Sequence, residues 1–400
     1  MPAIEHPNTK QSNHHLPIAF FASLRLLFFS TILLILMASQ AQALQPWNSV
    51  SDYFQQKMED NGIVGGAFVF VEDGEVSGSN YYGKADIEKD HAVDENTIFH
   101  WASITKTFSS VAIMQLRDRG KLSLDDPVTK YLPEIRDIHN PYGSMDEVTI
   151  SMVLSHTTGL RNPTWPWGGH EDWHPFEPTK WSQLVAMFPY TEVEFEPGTK
   201  HSYSNPAIIF LGRIIEEVTG ESYASYMHKN LLMPLQMHNS YFNETPPHLS
   251  DYRSNSYTLH DGEPKANGPD FNTGITISNS GLNAPISDMV NYLSFLTGTF
   301  DDAEILTRSS LEEMWNIQHD SSETHDQLDS VGLGFFIEEV DGKKVIGHTG
   351  TQWSHFSYLY VQPETGRAVI GVSNTDSDDD HPDLFEIREE LTNHIFQNLF

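Results

Sequence analysis

Cysteine is absent from all 400 residues of the chain. That excludes a disulfide framework, a thiol nucleophile, a thiolate metal site and a lipid-bearing cysteine behind an export signal. Basic residues are also scarce, with 23 Lys and Arg set against 55 Asp and Glu, for a net charge of −32. A field of that sign repels phosphate, so nucleic acid and anionic surfaces are poor partners and the charge reads as solubility. The acidic run Asp376-Ser-Asp-Asp-Asp380 lacks the glycine and terminal glutamate of a calcium loop, which leaves a solvated loop. No internal repeat and no low-complexity linker divides the chain.

Long hydrophobic runs are missing too, with one exception near the start. Residues 16–37 are long enough to span a bilayer, but Arg25 interrupts them. Lys10 and Arg25 precede the apolar stretch Leu26 to Met37, and Ala41-Gln-Ala43 follows as a small-x-small cleavage site. This order predicts a secretory signal peptide over 1–43, cleaved after Ala43, with an uncleaved anchor as the alternative. The mature protein, 44–400, is then expected to be exported to the periplasm or beyond the cell.

What is present is the material of a globular protein. The apolar fraction is 38% and the aromatic fraction 12%, enough for a sizeable core at this length. Trp47, Val50, Phe54 and Met58 have helical spacing. The β-rich run from Gly65 closes on an Asp73-Gly74 turn, and Glu75 to Tyr82 can return as its hairpin partner. Residues 101–119 read as a helix with Ile104, Phe108, Val111, Ala112 and Leu116 on one stripe. Helices are expected over 148–154, 182–187 and 207–218, among loops rich in Pro, Gly and Trp. Strands return over 331–340, 344–347, 356–362 and 368–373, with turns at Gly342 and Pro363 to Gly366. A closing amphipathic helix runs over 382–399. The prediction is an α+β fold whose antiparallel sheet draws on both termini (about 44–120 and 325–400), with a mainly helical part, about 121–324, inserted between.

Three short patterns carry chemistry. In Ser103-Ile-Thr-Lys106 the hydroxyl and the amine share a helix face, and a lysine desolvated there can act as base. The bland alternative is a serine N-cap beside a surface lysine. In Tyr203-Ser-Asn205, after the Pro197-Gly198 turn, a phenol can pass a proton and an amide can orient a carbonyl. Tyr241-Phe-Asn243 repeats the pattern without that turn. His348-Thr-Gly350 lies between two predicted strands, where a glycine admits a substrate backbone and neighbouring N–H groups can serve an oxyanion. His156, His170 and His174 read as surface or packing residues rather than metal ligands, and no metal or cofactor is expected. Trp165, Trp167, Trp173 and Trp181 suit either a cleft lining or packing of the helical part.

Ser-x-x-Lys and a basic residue before Thr-Gly are the signature of penicillin-binding proteins and serine β-lactamases. With Tyr-x-Asn between them, the chain resembles the class C β-lactamase-like family, which includes D-alanyl-D-alanine carboxypeptidases and esterases. The stretches Leu124-Asp-Asp-Pro-Val128, Leu154-Ser-His-Thr-Thr-Gly-Leu160 and Phe195 to Asn205 are similar to that family as well, and the resemblance runs from about Trp47 to the C-terminus.

The resemblance implies that Ser103 attacks a carbonyl while Lys106 and Tyr203 share the proton work. It implies an oxyanion held by the N–H groups of Ser103 and Thr351, and substrate contacts from Asn205, His348, Thr349 and Gly350. One departure stands out: His348 occupies the place where most family β-lactamases carry lysine. Its reference pKa near ~6.5 leaves it mostly neutral at pH 7, so attraction to a substrate carboxylate weakens. The expected activity is hydrolysis of an amide or ester through an acyl-serine. A D-amino-acid peptide of the cell-wall type comes first, then small acyl esters, then β-lactams, with a non-hydrolytic acylated sensor as the reading outside catalysis.

Overall fold

The computed structural model describes residues 46–160, 178–269, 272–300, 305–320, 330–340, 342–377 and 384–400. Two compact units are distinguished, Met1–Ser49 and Val50–Phe400. Of the first, only residues 46–49, which are helical, are described, and the predicted signal peptide lies outside them.

The second unit is organised by a nine-stranded sheet. Its strands are β1 (Gly65–Glu72), β2 (Glu75–Asp86), β3 (His91–Ala92), β4 (His319–Asp320), β5 (Ser330–Val331), β6 (Phe336–Val340), β7 (Lys343–Gln352), β8 (His355–Gln362) and β9 (Arg367–Ser373). Their order across the sheet is β3-β2-β1-β9-β8-β7-β6-β5-β4. Every pairing between them is antiparallel, and β1 lies against β9 with Phe68 opposite Gly371. The two ends of this unit therefore close one sheet, as its composition predicts. β1 and β8 are buried almost throughout, as strands covered on both faces must be.

Strand alternation assigns the two faces of β7 to different tasks. His348 pairs with Leu359 and Gly350 with Ser357, while Thr349 pairs with Tyr358 and Thr351 with Phe356. The Gly350–Ser357 face meets the segment around Ser103, and Ser357 Oγ donates to the Trp101 carbonyl at 2.9 Å. The other face carries the C-terminal helix, where Tyr360 packs on Phe396 at 5.1 Å between ring centroids.

Four longer helices frame the inserted part: α1 (Thr105–Asp118), α2 (Asn205–Thr219), α3 (Ile286–Thr297) and, at the C-terminus, α4 (Leu384–Leu399). The single apolar stripe predicted for 101–119 understates α1, because every residue from Thr105 to Leu116 is buried. Its polar residues make that possible by finding partners within the helix and on the segments packed against it. Ser110 Oγ donates to the Lys106 carbonyl at 2.8 Å, Ser109 Oγ to Ser278 at 2.5 Å and Gln115 Nε2 to Ile305 at 2.7 Å. Phe108 stacks on Tyr292 of α3 at 3.8 Å, so α1 is a central helix rather than an amphipathic one.

Three further differences matter. The predicted strand 331–340 is two pieces, Ser330–Val331 and Phe336–Val340. Two three-stranded sheets, one built on the Ser256–Gly268 hairpin and one joining Ile98–His100, Leu282–Pro285 and Tyr241–Phe242, had no expectation behind them. Finally, His348-Thr-Gly350 does not separate two strands but lies inside β7. Its Thr-Gly pair continues an antiparallel ladder instead of turning.

Candidate active site

Ser103 stands where the chain leaves the sheet region and enters α1. Trp101 is fixed on both sides, its backbone N–H donating to Leu282 and its indole Nε1 to Ala284, each at 2.9 Å. Ala102 then adopts φ +46°, a left-handed conformation that costs a non-glycine residue about 1–2 kcal/mol. Such strain persists only where its surroundings enforce it. The 3-10 turn Ala102–Ile104 follows and runs into α1, and neither element takes a side-chain cap. The N-cap alternative for Ser103 therefore fails; its hydroxyl is engaged elsewhere.

It is engaged by Lys106. The ammonium nitrogen lies 2.8 Å from Ser103 Oγ and 2.9 Å from the Asn279 carbonyl oxygen. Lys106 is completely buried, and these two partners are uncharged. Burial therefore pushes its pKa well below the usual lysine value, because a desolvated ammonium is penalised relative to the free amine. A lysine penalised in this way gives up its proton more readily, and its free amine beside a hydroxyl can accept one.

This has a measurable consequence for stability. The unfolded chain binds a proton at Lys106 up to about pH 10.4, whereas the folded chain has released it lower down. Stability therefore rises with pH from the depressed folded pKa up to ~10.4, by at most about 1.4 kcal/mol per pH unit for this one proton. Urea midpoints of wild type and Lys106→Met between pH 6 and 9.5 should converge or cross in that sense, the wild type gaining on the variant as pH rises. Parallel profiles would show that Lys106 keeps its charge in the folded protein.

Tyr203 completes the group. Burial raises the pKa of its phenol above the ordinary tyrosine value, against a smaller opposing interaction with Ser103. Lys106 Nζ sits 5.1 Å from the centre of its ring. Tyr203 reaches this place from the loop before α2, whose N-cap is Ser204, with Oγ accepting from the Ala207 N–H at 3.2 Å. Pro206 in the first turn suits the missing donor there. Asn205 opens α2, and its carbonyl accepts from Asn279 Nδ2 at 3.2 Å.

β7 forms the opposite wall. A Cβ built on Gly350 would lie 2.9 Å from the Ser103 nitrogen and 2.6 Å from both the Trp101 carbonyl oxygen and Ser357 Oγ. Glycine is required because the strand passes directly against the Ser103 backbone. His348 is buried, with its ring 6.1 Å from that of Tyr203 and 4.8 Å from that of Phe336. Its Nδ1 donates to the Thr349 carbonyl at 2.6 Å. A carbonyl oxygen can only accept, so Nδ1 carries the hydrogen and Nε2 is a bare acceptor. Nε2 is buried and meets no partner among the described residues. Burial brings the pKa of His348 down to about 3 against the opposing Thr349 bond. The ring is neutral.

Thr349 points to the other face, where its hydroxyl accepts from Arg388 of α4 at 3.1 Å. Thr351 follows Gly350 on β7 and is exposed. The structure thus brings Ser103, Lys106, Tyr203, Gly350 and His348 into one cluster, while the Thr349 side chain anchors the strand from behind. Three participants escaped sequence reasoning. Asn279 joins Lys106 to the start of α2, Phe336 lies between Tyr203 and His348, and Arg388 holds Thr349. Nothing local marks any of them, since each acts through a partner distant in the chain. Among the aromatics of the predicted cleft loop, Trp181 is a packing residue: its Nε1 donates to Glu134 at 2.5 Å and its ring meets Phe188 and Phe210. Trp165, Trp167, Trp173, His170 and His174 lie outside the described residues.

Comparison with known proteins bears on the family and the fold. The Beta-lactamase family model matches residues 50–392. Protein flp of Staphylococcus aureus (strain MW2) is 25% identical over 346 residues, 86% of this chain, and the chain spans only 66% of that relative's length. Esterase EstB of Burkholderia gladioli is 29% identical over 219 residues, 53% of this chain and 54% of its own. A class C beta-lactamase structure superimposes with a TM-score of 0.72 at 22% identity, covering 90% of this chain and 98% of its own. The chain belongs to the beta-lactamase family of serine hydrolases.

Proposed function

We propose that the protein hydrolyses an ester or amide through a covalent acyl-Ser103 intermediate. The observation that carries this reading is the 2.8 Å contact between Ser103 Oγ and a fully buried Lys106 whose partners are uncharged. Lys106 takes the serine proton as Oγ attacks the carbonyl carbon. Tyr203, whose ring lies 5.1 Å from Lys106 Nζ, delivers a proton to the leaving oxygen or nitrogen as that bond breaks. Water then attacks the acyl-enzyme, and the same two groups run the proton transfers in reverse. The N–H groups of Ser103 and Thr351 flank the tetrahedral oxygen, with Gly350 keeping the space between them open. Asn205 orients the substrate carbonyl from the start of α2. The chain is taken to act after export, on a small or peptide-sized substrate.

The neutral His348 reorders the substrate classes. Both a β-lactam and a peptide ending in D-alanine present a carboxylate close to the reacting bond. A histidine with its charge suppressed and a bare Nε2 acceptor gives that carboxylate no cation and gives an N–H or O–H donor a partner. Small acyl esters and carboxylate-free amides of D-amino acids are therefore placed ahead of the cell-wall carboxypeptide. Loss of a charged hydrogen bond is worth about 1.5–3 kcal/mol, so kcat/KM on a D-amino-acid amide should exceed that on the matching free-acid dipeptide by roughly 10–100-fold. A panel of p-nitrophenyl acetate, a D-alanine amide, a D-Ala-D-Ala peptide and a cephalosporin reads this directly. Preference for the D-Ala-D-Ala peptide would overturn the substrate assignment, and a single stoichiometric burst on the ester without turnover would favour a sensor.

A further inference from the structure

We infer that His156 is a positioning residue for Tyr203, gripping the loop on both sides of the phenol-bearing residue. It rests on the reading of Tyr203 as proton carrier. His156 lies in the Ser155–Gly159 segment, far from Ser103 in sequence, and its imidazole is 2% exposed. Its backbone carbonyl accepts from the Ser202 N–H at 2.9 Å, and its ring Nδ1 accepts from the Ser204 N–H at 3.2 Å. These donors belong to the residues immediately before and after Tyr203. The same ring packs on the phenol ring, with centroids 4.6 Å apart and planes 35° from each other. One residue thus bonds both neighbours of Tyr203 and covers a face of its side chain.

The surrounding bonds show that the two segments are zipped together, with His156 at the end nearest Ser103. Glu194 donates to the Gly159 carbonyl at 2.8 Å and Gly198 to that of Thr157 at 2.7 Å. The grip needs a particular backbone: His156 sits at φ +54°, a region that asparagine and glycine tolerate and other residues resist. It also needs an unprotonated Nδ1. Burial holds the pKa of His156 well below the ordinary histidine value, so Nδ1 stays available as an acceptor. The hydrogen then resides on Nε2.

This arrangement makes a clean test. His156→Gly keeps the backbone conformation and removes both acceptor and ring, whereas His156→Asn keeps the backbone and offers Oδ1 where Nδ1 stood. A misplacement of about 1 Å at a reacting group costs on the order of 100-fold. We expect kcat on p-nitrophenyl acetate to fall roughly 10–100-fold in His156→Gly, with KM changed by less than about threefold, and to recover most of that loss in His156→Asn. In a Tyr203→Phe background, His156→Gly should cost less than about threefold more, because its target is gone. Equal kcat values for the Gly and Asn variants, or an undiminished loss in the Tyr203→Phe background, would overturn the inference. Should the Gly variant fail to fold, a folded Asn variant as inactive as Tyr203→Phe does the same. Wild-type kcat in Tyr203→Phe alone would instead sink the reading of Tyr203, independently of His156.

Discussion

Ser103→Ala should reduce turnover of p-nitrophenyl acetate by on the order of 10⁴–10⁶-fold and abolish the acetyl-enzyme seen by mass spectrometry. The expected loss is large because the hydroxyl is the atom that forms the covalent bond, and nothing else in the cluster can replace it. Lys106 is the nearest other nucleophile, but it sits behind Ser103, fully buried and bonded to the Asn279 carbonyl. The substitution should leave the fold intact, since the Ser103 hydroxyl caps neither the 3-10 turn nor α1. Removing it takes away an acceptor from Lys106 and leaves the Asn279 bond in place. An acetylated Ser103→Ala protein, or one with a persisting burst, would remove the nucleophile assignment and with it the proposed mechanism.

The second large effect is expected at Gly350. An alanine Cβ there would approach the Ser103 nitrogen to 2.9 Å and the Trp101 carbonyl oxygen to 2.6 Å. Neither atom belongs to a flexible side chain, so the strand or the Ser103 turn must move. Either shift displaces the two N–H groups proposed to receive the oxyanion. Loss of one such donor costs about 10²–10³ in kcat, and overpacking costs roughly 1–3 kcal/mol of stability. Gly350→Ala is therefore expected to lose both, measured as kcat on an ester and as a urea midpoint. Gly342 provides the contrast: it has no neighbour within 4 Å of a built Cβ but sits at φ +75°, so Gly342→Ala should cost stability and spare kcat. A Gly350→Ala enzyme with wild-type kcat would show that β7 does not form the oxyanion wall.

These two sites were legible in the sequence for different reasons. Ser103 and Lys106 are three residues apart, and helical geometry alone brings a hydroxyl and an amine at that spacing together. Gly350 was legible only through the basic residue and threonine before it, in a triplet expected between two strands rather than inside one. Tyr203 was harder, since Tyr241 stands in the same local pattern; it was distinguished by the Pro-Gly turn before it and the helix after it. The order of the motifs along the chain then identified the arrangement that none of them specified alone.

The alternation of β-rich and helical segments determined the architecture from composition and periodicity: an antiparallel sheet drawing on both ends, with helices between. The three short motifs named the candidate reacting groups and, through His348, the absence of the usual lysine. Contacts between distant segments decided the rest. Burial of α1 deprives Lys106 of water and lowers its pKa, a property that depends on the elements packed around it rather than on Lys106 itself. The Thr349 carbonyl selects the tautomer of His348, and Arg388 draws the Thr349 hydroxyl to the far face of β7. His156 aligns Tyr203 from 47 positions away. Spacing along a chain records which side chains can be neighbours through a single element. Protonation, tautomer and alignment depend on the dielectric and the partners supplied by other elements, and those exist only once the chain has folded.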